Sequence, residues 1–223
     1  MKKAAITGGN GFVGRQLTDF LLANGYSVRI LSRSKPSGRD INPSVETVQV
    51  NYFDAASIKQ ALDGVDTVFH LAAAIFAFNT EEFHQANTVL TKNLTAAASE
   101  IKTINTFVYL SSQAAAGPSQ YKDNPKTEDE PPAPVSDYGA TKLAAEAFVL
   151  ALPEAIHKVV LRAPIVYGKN DSGVSKIAAW VARGIMVNTS SGEAFFNFIY
   201  VEDLVAALYK AATTPKANGQ VYF

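Results

Sequence analysis

The stretch Thr7-Gly8-Gly9-Asn10-Gly11-Phe12-Val13-Gly14 lies between an apolar strand and an amphipathic helix. Residues 3–6 are predicted to form a short buried strand, and Leu17, Phe20 and Leu21 give the following segment one apolar helical face. A glycine-rich turn between a strand and a helix N-terminus lets backbone N–H groups approach a pyrophosphate, whose negative charge the helix dipole favours. This stretch therefore predicts a nucleotide-binding site.

The rest of the chain alternates between strand-like and helix-like segments. The predicted strands are residues 3–6, 27–31, 45–50, 67–71, 106–110 and 158–161, and another strand begins within residues 219–223. The predicted helices are a first one that ends at Asn24-Gly25, then residues 56–62 with Asp54 as the N-cap, and residues 81–101, 136–152, 174–183 and 202–212. Residues 117–134 are predicted to form a loop. This alternation predicts an α/β fold, a Rossmann-type, doubly wound parallel sheet with helices on both faces.

Composition limits the classes of function. With 223 residues, 48% of them hydrophobic, the chain can bury the core of a single domain spanning residues 1–223. Its 20 basic and 20 acidic side chains cancel, so no overall field attracts it to nucleic acid or to an anionic membrane. It has no cysteine and no apolar stretch near the length of about 20 residues that spans a bilayer. We expect no signal peptide, because the first apolar run is the first predicted strand. We expect a cytoplasmic protein.

A tyrosine and a lysine share one face of a predicted helix. Tyr138 and Lys142 are four residues apart, so both side chains can point at one ligand. A fixed cation nearby favours the phenolate and lowers the tyrosine pKa, which makes Tyr138 a usable general acid or base. Taken alone, such a pair is more often an exposed aromatic and a solvated lysine on a surface helix.

Three other features point to the same edge of the sheet. Ser111 and Ser112 follow the fifth predicted strand, residues 70–73 end the fourth strand in small residues, and the glycine turn leaves the first strand. Ligands of open α/β sheets lie beyond the carboxyl ends of the strands. A phosphate cradle, a hydroxyl group and the Tyr138–Lys142 pair are therefore expected to face one ligand.

Together these motifs resemble the extended branch of the short-chain dehydrogenase/reductase superfamily, the NAD-dependent epimerase/dehydratase family. The resemblance covers nearly the whole chain. Its motifs are the TGxxGxxG pattern at residues 7–14, residues 69–73, Asn87 with Thr91, residues 109–112, residues 138–142 followed by Glu146, residues 162–168 and residues 198–203. So many motifs in the family's order make a chance match improbable.

The resemblance implies a role for each matching residue. Tyr138 would be the general acid/base, Lys142 would bind the nicotinamide ribose and lower the tyrosine pKa, and Ser112 would complete the catalytic set, whereas Ser111 and Asn87 would be mainly structural. The residues expected to contact the cofactor are Gly8, Gly11, Phe12, Val13, Ser32, Arg33, Asn51, Tyr52, Leu71, Ala72, Ala73, Tyr138, Lys142, Pro164, Ile165 and Val166, the last three lining the nicotinamide.

Cofactor choice follows from the end of the second strand. NAD enzymes usually place a carboxylate there to hold the ribose 2′-OH. Ser32 occupies this position here and Arg33 follows it, so a guanidinium stands where a 2′-phosphate would lie. These residues favour NADP over NAD, although Arg33 could instead stack on adenine or face solvent. Asn51 stands where the family often has an aspartate near the adenine.

No metal site is expected. His70, His84 and His157 lack any ligand spacing, and His70 is predicted to be a partly buried residue at a strand end. The acidic run at residues 128–130 is predicted to be solvated, and Trp180 is predicted to pack against a helix.

The motifs leave the substrate open. The resemblance favours hydride transfer on a small or medium carbonyl or alcohol. The first alternative is a nucleotide-sugar epimerase or dehydratase with tightly bound NAD, and the second is a non-catalytic dinucleotide-binding protein. Family members usually continue well past Phe223, so we expect a C-terminally truncated chain whose residues 168–223 form a partial substrate-binding region. The resemblance also suggests a homodimer through residues 81–101 and 136–152.

Overall fold

A parallel sheet of seven strands forms the centre of the protein. The structure is a computed structural model that describes residues 2–34, 43–119, 125–171, 173–185 and 195–223. The sheet strands are β1 (Lys3–Thr7), β2 (Ser27–Ser32), β3 (Val45–Gln49), β4 (Thr67–His70), β5 (Thr106–Ser112), β6 (His157–Ala163) and β9 (Gln220–Tyr222). Their spatial order is β3-β2-β1-β4-β5-β6-β9, and every neighbouring pair is parallel. The predicted Rossmann-type sheet is confirmed.

Helices cover both faces of this sheet. They are α1 (Phe12–Ala23), α2 (Ala55–Ala61), α3 (Thr80–Phe83), α4 (Leu90–Glu100), α5 (Gln113–Ala116), α6 (Asp137–Leu150), α7 (Val174–Val181) and α8 (Val201–Thr213), with a 3₁₀ turn at Pro215–Ala217. Side chains of α2, α4 and α6 pack with Ala5 on one face, whereas those of α1 and α8 pack with Ala4 and Ile6 on the other. The alternation of strand side chains thus builds two separate cores.

Local signals set the ends of the shorter helices. Gly25 follows α1 with a φ of +79°, a conformation that glycine adopts without strain, and Asn24 is the C-cap residue. The carboxylate of Asp54 accepts a hydrogen bond from the N–H of Ala56 at the start of α2. Both ends lie where the sequence predicted them.

The long helix predicted at residues 81–101 contains a π-helical turn. This turn, His84–Val89, joins α3 to α4. It carries Asn87, whose side chain hydrogen-bonds both the N–H and the C=O of Ala74, and Thr88, whose hydroxyl donates to the carbonyl of Thr141. The widened turn therefore ties this helix to α6 and to the segment that follows β4. No local pattern in the sequence indicated it.

The last third of the chain adds a second, small sheet. Strands β7 (Ile165–Tyr167) and β8 (Phe198–Tyr200) pair in parallel, and neither was predicted as a strand. Trp180 is 49% exposed on α7, and its packing against a helix stays a prediction. Parts of the predicted 117–134 loop and 168–223 region, namely residues 120–124, 172 and 186–194, lie outside the described residues. Within the described segments, no helix has the length and apolar character needed to cross a membrane.

Candidate functional site

The glycine turn is tight because backbone atoms occupy the space that side chains would need. The N–H of Gly11 donates to the carbonyl of Gly8 at 2.9 Å. A Cβ on Gly14 would lie 2.2 Å from that same carbonyl oxygen, and one on Gly8, whose φ is +72°, would lie 2.9 Å from the nitrogen of Ala72. Glycine at these two positions lets β1, α1 and the segment after β4 meet at one point.

The N-terminus of α1 fits an anion. Its N-cap residue, Gly11, has no side chain to cap the helix, and the first turn holds no acidic residue. The N–H groups of the first turn, at Phe12 and Val13, have no acceptor within the helix. Together with the close approach of Leu71 and Ala72, this geometry is of the kind that binds a phosphate group at a helix N-terminus.

A buried hydrogen-bond chain holds the segment after β4. The Thr7 hydroxyl accepts from the N–H groups of Leu71 and Ala72, and it lies 2.6 Å from Nδ1 of His70. Nε2 of His70 lies 2.8 Å from the hydroxyl of Thr91, which itself donates to a backbone carbonyl. Thr7 therefore donates to Nδ1 and the proton resides on Nε2. Burial lowers the pKa of His70 well below its usual value, which keeps the ring neutral.

His70 is fully buried, so the prediction that it is partly buried is wrong. The hydrogen bonds to Thr7 and Thr91 satisfy both ring nitrogens and remove the need for solvent. His70 therefore has a structural role: its two hydrogen bonds link the end of β4 to Thr7 on β1 and to Thr91 on α4. In the part of the chain that the structure describes, no three histidine or acidic side chains lie close enough to hold a metal ion.

A pocket of about 990 Å³ opens at the ends of β2 and β3. Arg33 and Asn51 line it with exposed side chains, whereas Ser32 is buried at the strand end. Tyr52 also lines the pocket, but its side chain is only 3% exposed and its hydroxyl donates to the carbonyl of Leu31. The Tyr52 hydroxyl therefore makes a buried hydrogen bond within the protein, and only other atoms of Tyr52 can face a ligand.

Ser112 and Tyr138 meet because Gly139 lets two helices come together. A Cβ on Gly139 would lie 2.2 Å from the carbonyl oxygen of Ala114, so α6 can approach α5 this closely only with glycine. Ser136 caps α6 by accepting from the N–H of Gly139 at 3.1 Å. The half-buried Tyr138 consequently lies one residue into the helix, with its hydroxyl within hydrogen-bonding reach of Ser112.

Lys142 lies one turn further along α6 and is buried. Its Nζ donates to the carbonyl of Leu110 at 2.7 Å and sits 4.1 Å from the ring centre of Tyr109. Burial lowers the pKa of Lys142 from 10.5 to about 7, and the carboxylate of Glu146 partly opposes this fall. The Lys142 amine therefore gains or loses its proton near neutral pH.

The expectation that Lys142 lowers the Tyr138 pKa is not what the structure shows. Burial raises the pKa of Tyr138 above 10.0, and hydrogen bonding with Ser112 only opposes that rise. The physical reason is that Lys142 directs its amine at Leu110 and is itself desolvated. Burial therefore favours the protonated form of Tyr138.

Ser111 belongs to a buried ionic cluster. Its hydroxyl donates to Oε1 of Glu146 at 2.5 Å, and Arg162 binds both oxygens of that carboxylate, with Nη2 at 2.8 Å from Oε2. This cluster joins β5, α6 and β6 just behind Lys142. The arrangement agrees with the structural role that the family resemblance implies for Ser111.

A second pocket of about 1030 Å³ begins at Ser112. Pro164 and Ile165 line it, whereas the half-buried Val166 follows on β7. The sequence had not singled out Gln113, Val135, Phe196 and Asn197, which also line this pocket. Gln113 and Asn197 gave no signal in the sequence, and Val135 and Phe196 gave only their apolar character. The pairing of β7 with β8 brings Phe196 and Asn197, which precede β8, to this pocket.

Comparisons with known proteins agree with this geometry. The model of the NAD dependent epimerase/dehydratase family matches residues 4–222. The chain is 34% identical over 194 residues to the dTDP-6-deoxy-L-talose 4-dehydrogenase (NAD(P)(+)) of Kitasatospora kifunensis, which covers 81% of this chain and 58% of that protein. It is 31% identical over 242 residues to the 3 beta-hydroxysteroid dehydrogenase/Delta 5→4-isomerase of Mycobacterium tuberculosis, covering 99% of this chain and 64% of that protein.

A solved structure shares the fold over the same extent. The structure of MoeE5 in complex with UDP-glucose and NAD superposes with a TM-score of 0.82 at 28% identity, covering 99% of this chain and 75% of that chain. The chain thus spans 58% and 64% of the length of the two curated relatives and three quarters of the solved one. Family match, sheet topology and glycine cradle agree, and this protein belongs to the NAD dependent epimerase/dehydratase family, whose cofactors are of the NAD(P) type.

Proposed function

We propose that this chain is an NAD(P)-dependent oxidoreductase that transfers hydride between the cofactor and a carbonyl or alcohol substrate. The observation that carries the proposal is that the Tyr138 hydroxyl lies within hydrogen-bonding reach of Ser112 at the end of β5, with Lys142 one turn further along α6. The relative from Mycobacterium tuberculosis is named for the oxidation of a hydroxysteroid, which supports the same reaction class here.

The chain's own residues supply the proton chemistry. A bound nicotinamide dinucleotide supplies the hydride acceptor or donor. The Tyr138 hydroxyl donates its proton to the substrate oxygen during reduction, and the reverse reaction returns the proton to the phenolate. Ser112 is placed to hydrogen-bond the same oxygen. Lys142 uses one donor on Leu110, so a protonated amine has further donors for the hydroxyl groups of a ribose.

We further infer that the cofactor is NADP. Arg33 is exposed at the end of β2 and lines the 990 Å³ pocket, and the neighbouring Ser32 offers no carboxylate to a ribose 2′-OH. A guanidinium at this place can bind a 2′-phosphate with two parallel hydrogen bonds. A carboxylate would repel that phosphate.

A nucleotide-sugar epimerase or dehydratase is the second candidate. The fold shared with MoeE5, whose structure holds UDP-glucose and NAD, supports it. This function requires a cofactor that stays bound through the reaction cycle. Identification by mass of nucleotide released on denaturation separates the two, because an epimerase retains NAD whereas a reductase exchanges its cofactor.

Replacement of Tyr138 by phenylalanine tests the proposed function. Turnover of a panel of methyl ketones and nucleotide sugars should fall by about 10²- to 10⁴-fold in Tyr138→Phe, because the proton donor is lost. Cofactor affinity, measured by calorimetry, should stay unchanged. Tyr209→Phe is the matched control, because Tyr209 packs against Phe20 on the far side of α8.

Two results would contradict the proposal. Undiminished turnover in Tyr138→Phe would remove Tyr138 from the acid/base role. Cofactor binding without turnover of any panel member by the unmodified chain would favour a non-catalytic dinucleotide-binding protein.

A further inference from the structure

The pocket beside Ser112 exposes several apolar side chains. Val135 is 80% exposed, Phe196 is 66% exposed and Ile165 is 38% exposed, and all three line this cavity of about 1030 Å³. Leaving such side chains in water costs free energy that a bound apolar group would recover. The cavity is also at the upper end of the volume range typical of small-molecule sites, roughly 300–1,000 Å³.

The polar side chains of the same pocket are largely satisfied by the protein. The amide of Asn197 donates to Oε1 of Gln113 at 3.3 Å, and the hydroxyl of Ser136 accepts from the N–H of Gly139. Ser112, whose hydroxyl accepts from the N–H of Ala114 at 3.2 Å, stands next to Tyr138 at one end of the cavity. The rest of the described wall offers mainly apolar surface.

Positive charge is scarce on this wall. Among the described residues that line the cavity, Lys126 is the one basic side chain, and its Nζ donates to the carbonyl of Ala116 at 2.7 Å. A nucleoside diphosphate carries at least two negative charges, and proteins bind such groups with several cations or with uncapped helix N-termini. The N-terminus of α6 at this cavity is already capped by Ser136.

We propose that the substrate of this site is an apolar ketone or its secondary alcohol, with the oxygen at Ser112 and Tyr138 and an alkyl or ring body along Val135, Ile165 and Phe196. The inference rests on the proposed function. In the reducing direction, the carbonyl carbon receives hydride from the reduced nicotinamide while the oxygen receives the Tyr138 proton. The ketone is reduced to the secondary alcohol and the cofactor is oxidised.

Ketones with alkyl chains of increasing length test whether the apolar wall binds substrate. The cofactor-loaded chain is titrated by calorimetry with 2-butanone, 2-hexanone, 2-octanone and 2-decanone, and turnover of each is followed by nicotinamide absorbance. Both affinity and kcat/KM should rise with length, by up to about fourfold for each methylene that becomes buried. UDP-glucose and dTDP-glucose, tested alongside, should neither bind nor turn over.

Substitutions in the pocket test whether its apolar side chains cause the dependence on ketone length. Phe196→Ser and Val135→Ser should each flatten the dependence on chain length, and Phe196→Ser should weaken 2-decanone binding by about tenfold or more. Phe78→Ser is the control, because Phe78 is 90% exposed and lies outside both pockets. It should leave the series unchanged.

The outcomes separate this inference from the proposed function. Turnover of a nucleotide sugar without binding of 2-decanone would overturn the substrate class and leave hydride transfer standing. Binding that rises with ketone length and is lost in Phe196→Ser, without turnover of any ketone, would support the apolar pocket and contradict the proposed reaction. A length dependence that Phe196→Ser and Val135→Ser leave intact would overturn the inference.

Discussion

Single residues decide what the two ends of the site can recognise. At one end Gly139 removes a side chain so that Tyr138 can reach Ser112, and at the other Arg33 places a guanidinium on the wall of the 990 Å³ pocket. Both effects depend on one side chain and its immediate neighbours. From the sequence, Arg33 is predicted to bind a 2′-phosphate because it follows the second strand, where NAD enzymes usually place a carboxylate.

Cofactor preference should therefore change when Arg33 is replaced. In Arg33→Ala the affinity for NADP should fall by roughly 10- to 100-fold, the value of a charge-assisted hydrogen-bond pair, while the affinity for NAD stays nearly constant. Calorimetric titration of both cofactors measures the two changes. Arg183→Ala, which replaces an exposed arginine on the surface beyond α7, serves as the control. Equal losses for the two cofactors would show that Arg33 does not read the 2′-phosphate.

Elements meet where glycine permits their backbones to touch. The turn before α1 closes on itself because Gly14 leaves space for the carbonyl of Gly8. The π-helical turn between α3 and α4 is the other irregular element at the site, and it directs Asn87 and Thr88 to fixed backbone partners. Through these hydrogen bonds, the π-helical turn connects the segment after β4, at Ala74, to α6, at Thr141.

Adding one methyl group to the turn should abolish the cradle. In Gly14→Ala the new Cβ would lie 2.2 Å from a backbone oxygen, so the turn must open. We expect cofactor affinity to fall by at least tenfold and the free energy of unfolding to fall by about 1–3 kcal/mol. Cofactor titration and urea denaturation check these values.

The opposite end of the same helix provides the control. Gly25 has a φ of +79° and open space around its Cβ position. Gly25→Ala should cost about 1–2 kcal/mol of stability through backbone strain and leave cofactor affinity intact. A loss of affinity in both variants would mean that helix stability, not the cradle, controls binding.

At the scale of the whole molecule, parallel pairing brings the ends of β1, β2, β4, β5 and β6 to one edge. Gly8, Ser112 and Pro164, which are far apart in the sequence, therefore lie at the ends of strands along the same edge of the sheet. The same packing buries Lys142 under α6, against β5. The fold thus holds the Lys142 amine away from water.

This burial should make stability depend on pH. The pKa of Lys142 is about 7 in the folded chain and 10.5 ordinarily, so between these values the unfolded chain binds a proton that the folded chain does not. Stability should therefore rise with pH across this interval, by at most about 1.4 kcal/mol per pH unit relative to Lys142→Met. Urea denaturation at several pH values, kept below the ordinary tyrosine pKa of 10.0, measures the slope.

The control for this measurement is Lys102→Met, which replaces an exposed lysine. It should reproduce the slope of the unmodified chain. If Lys142→Met also keeps that slope, the buried amine is not the group that titrates.

The sequence predicted most elements because their signals are local. Apolar periodicity, the cap at Asp54 and the turn at Gly25 act within a few residues, and each was confirmed. The pairing of β7 with β8 and the π-helical turn were missed because they depend on partners distant in the chain. Full burial of His70 was missed for the same reason, since Thr7 and Thr91 satisfy its ring from two other elements.

By itself, the sequence determined the glycine cradle, the family and the order of strands and helices, because these follow from residue spacing along one segment at a time. Only the tertiary structure decided the ionisation of the site and the chemistry of its walls. The direction of the Tyr138 and Lys142 pKa shifts depends on what surrounds them after folding. The apolar pocket likewise exists only once Val135, Ile165 and Phe196, from three separate segments, surround one cavity.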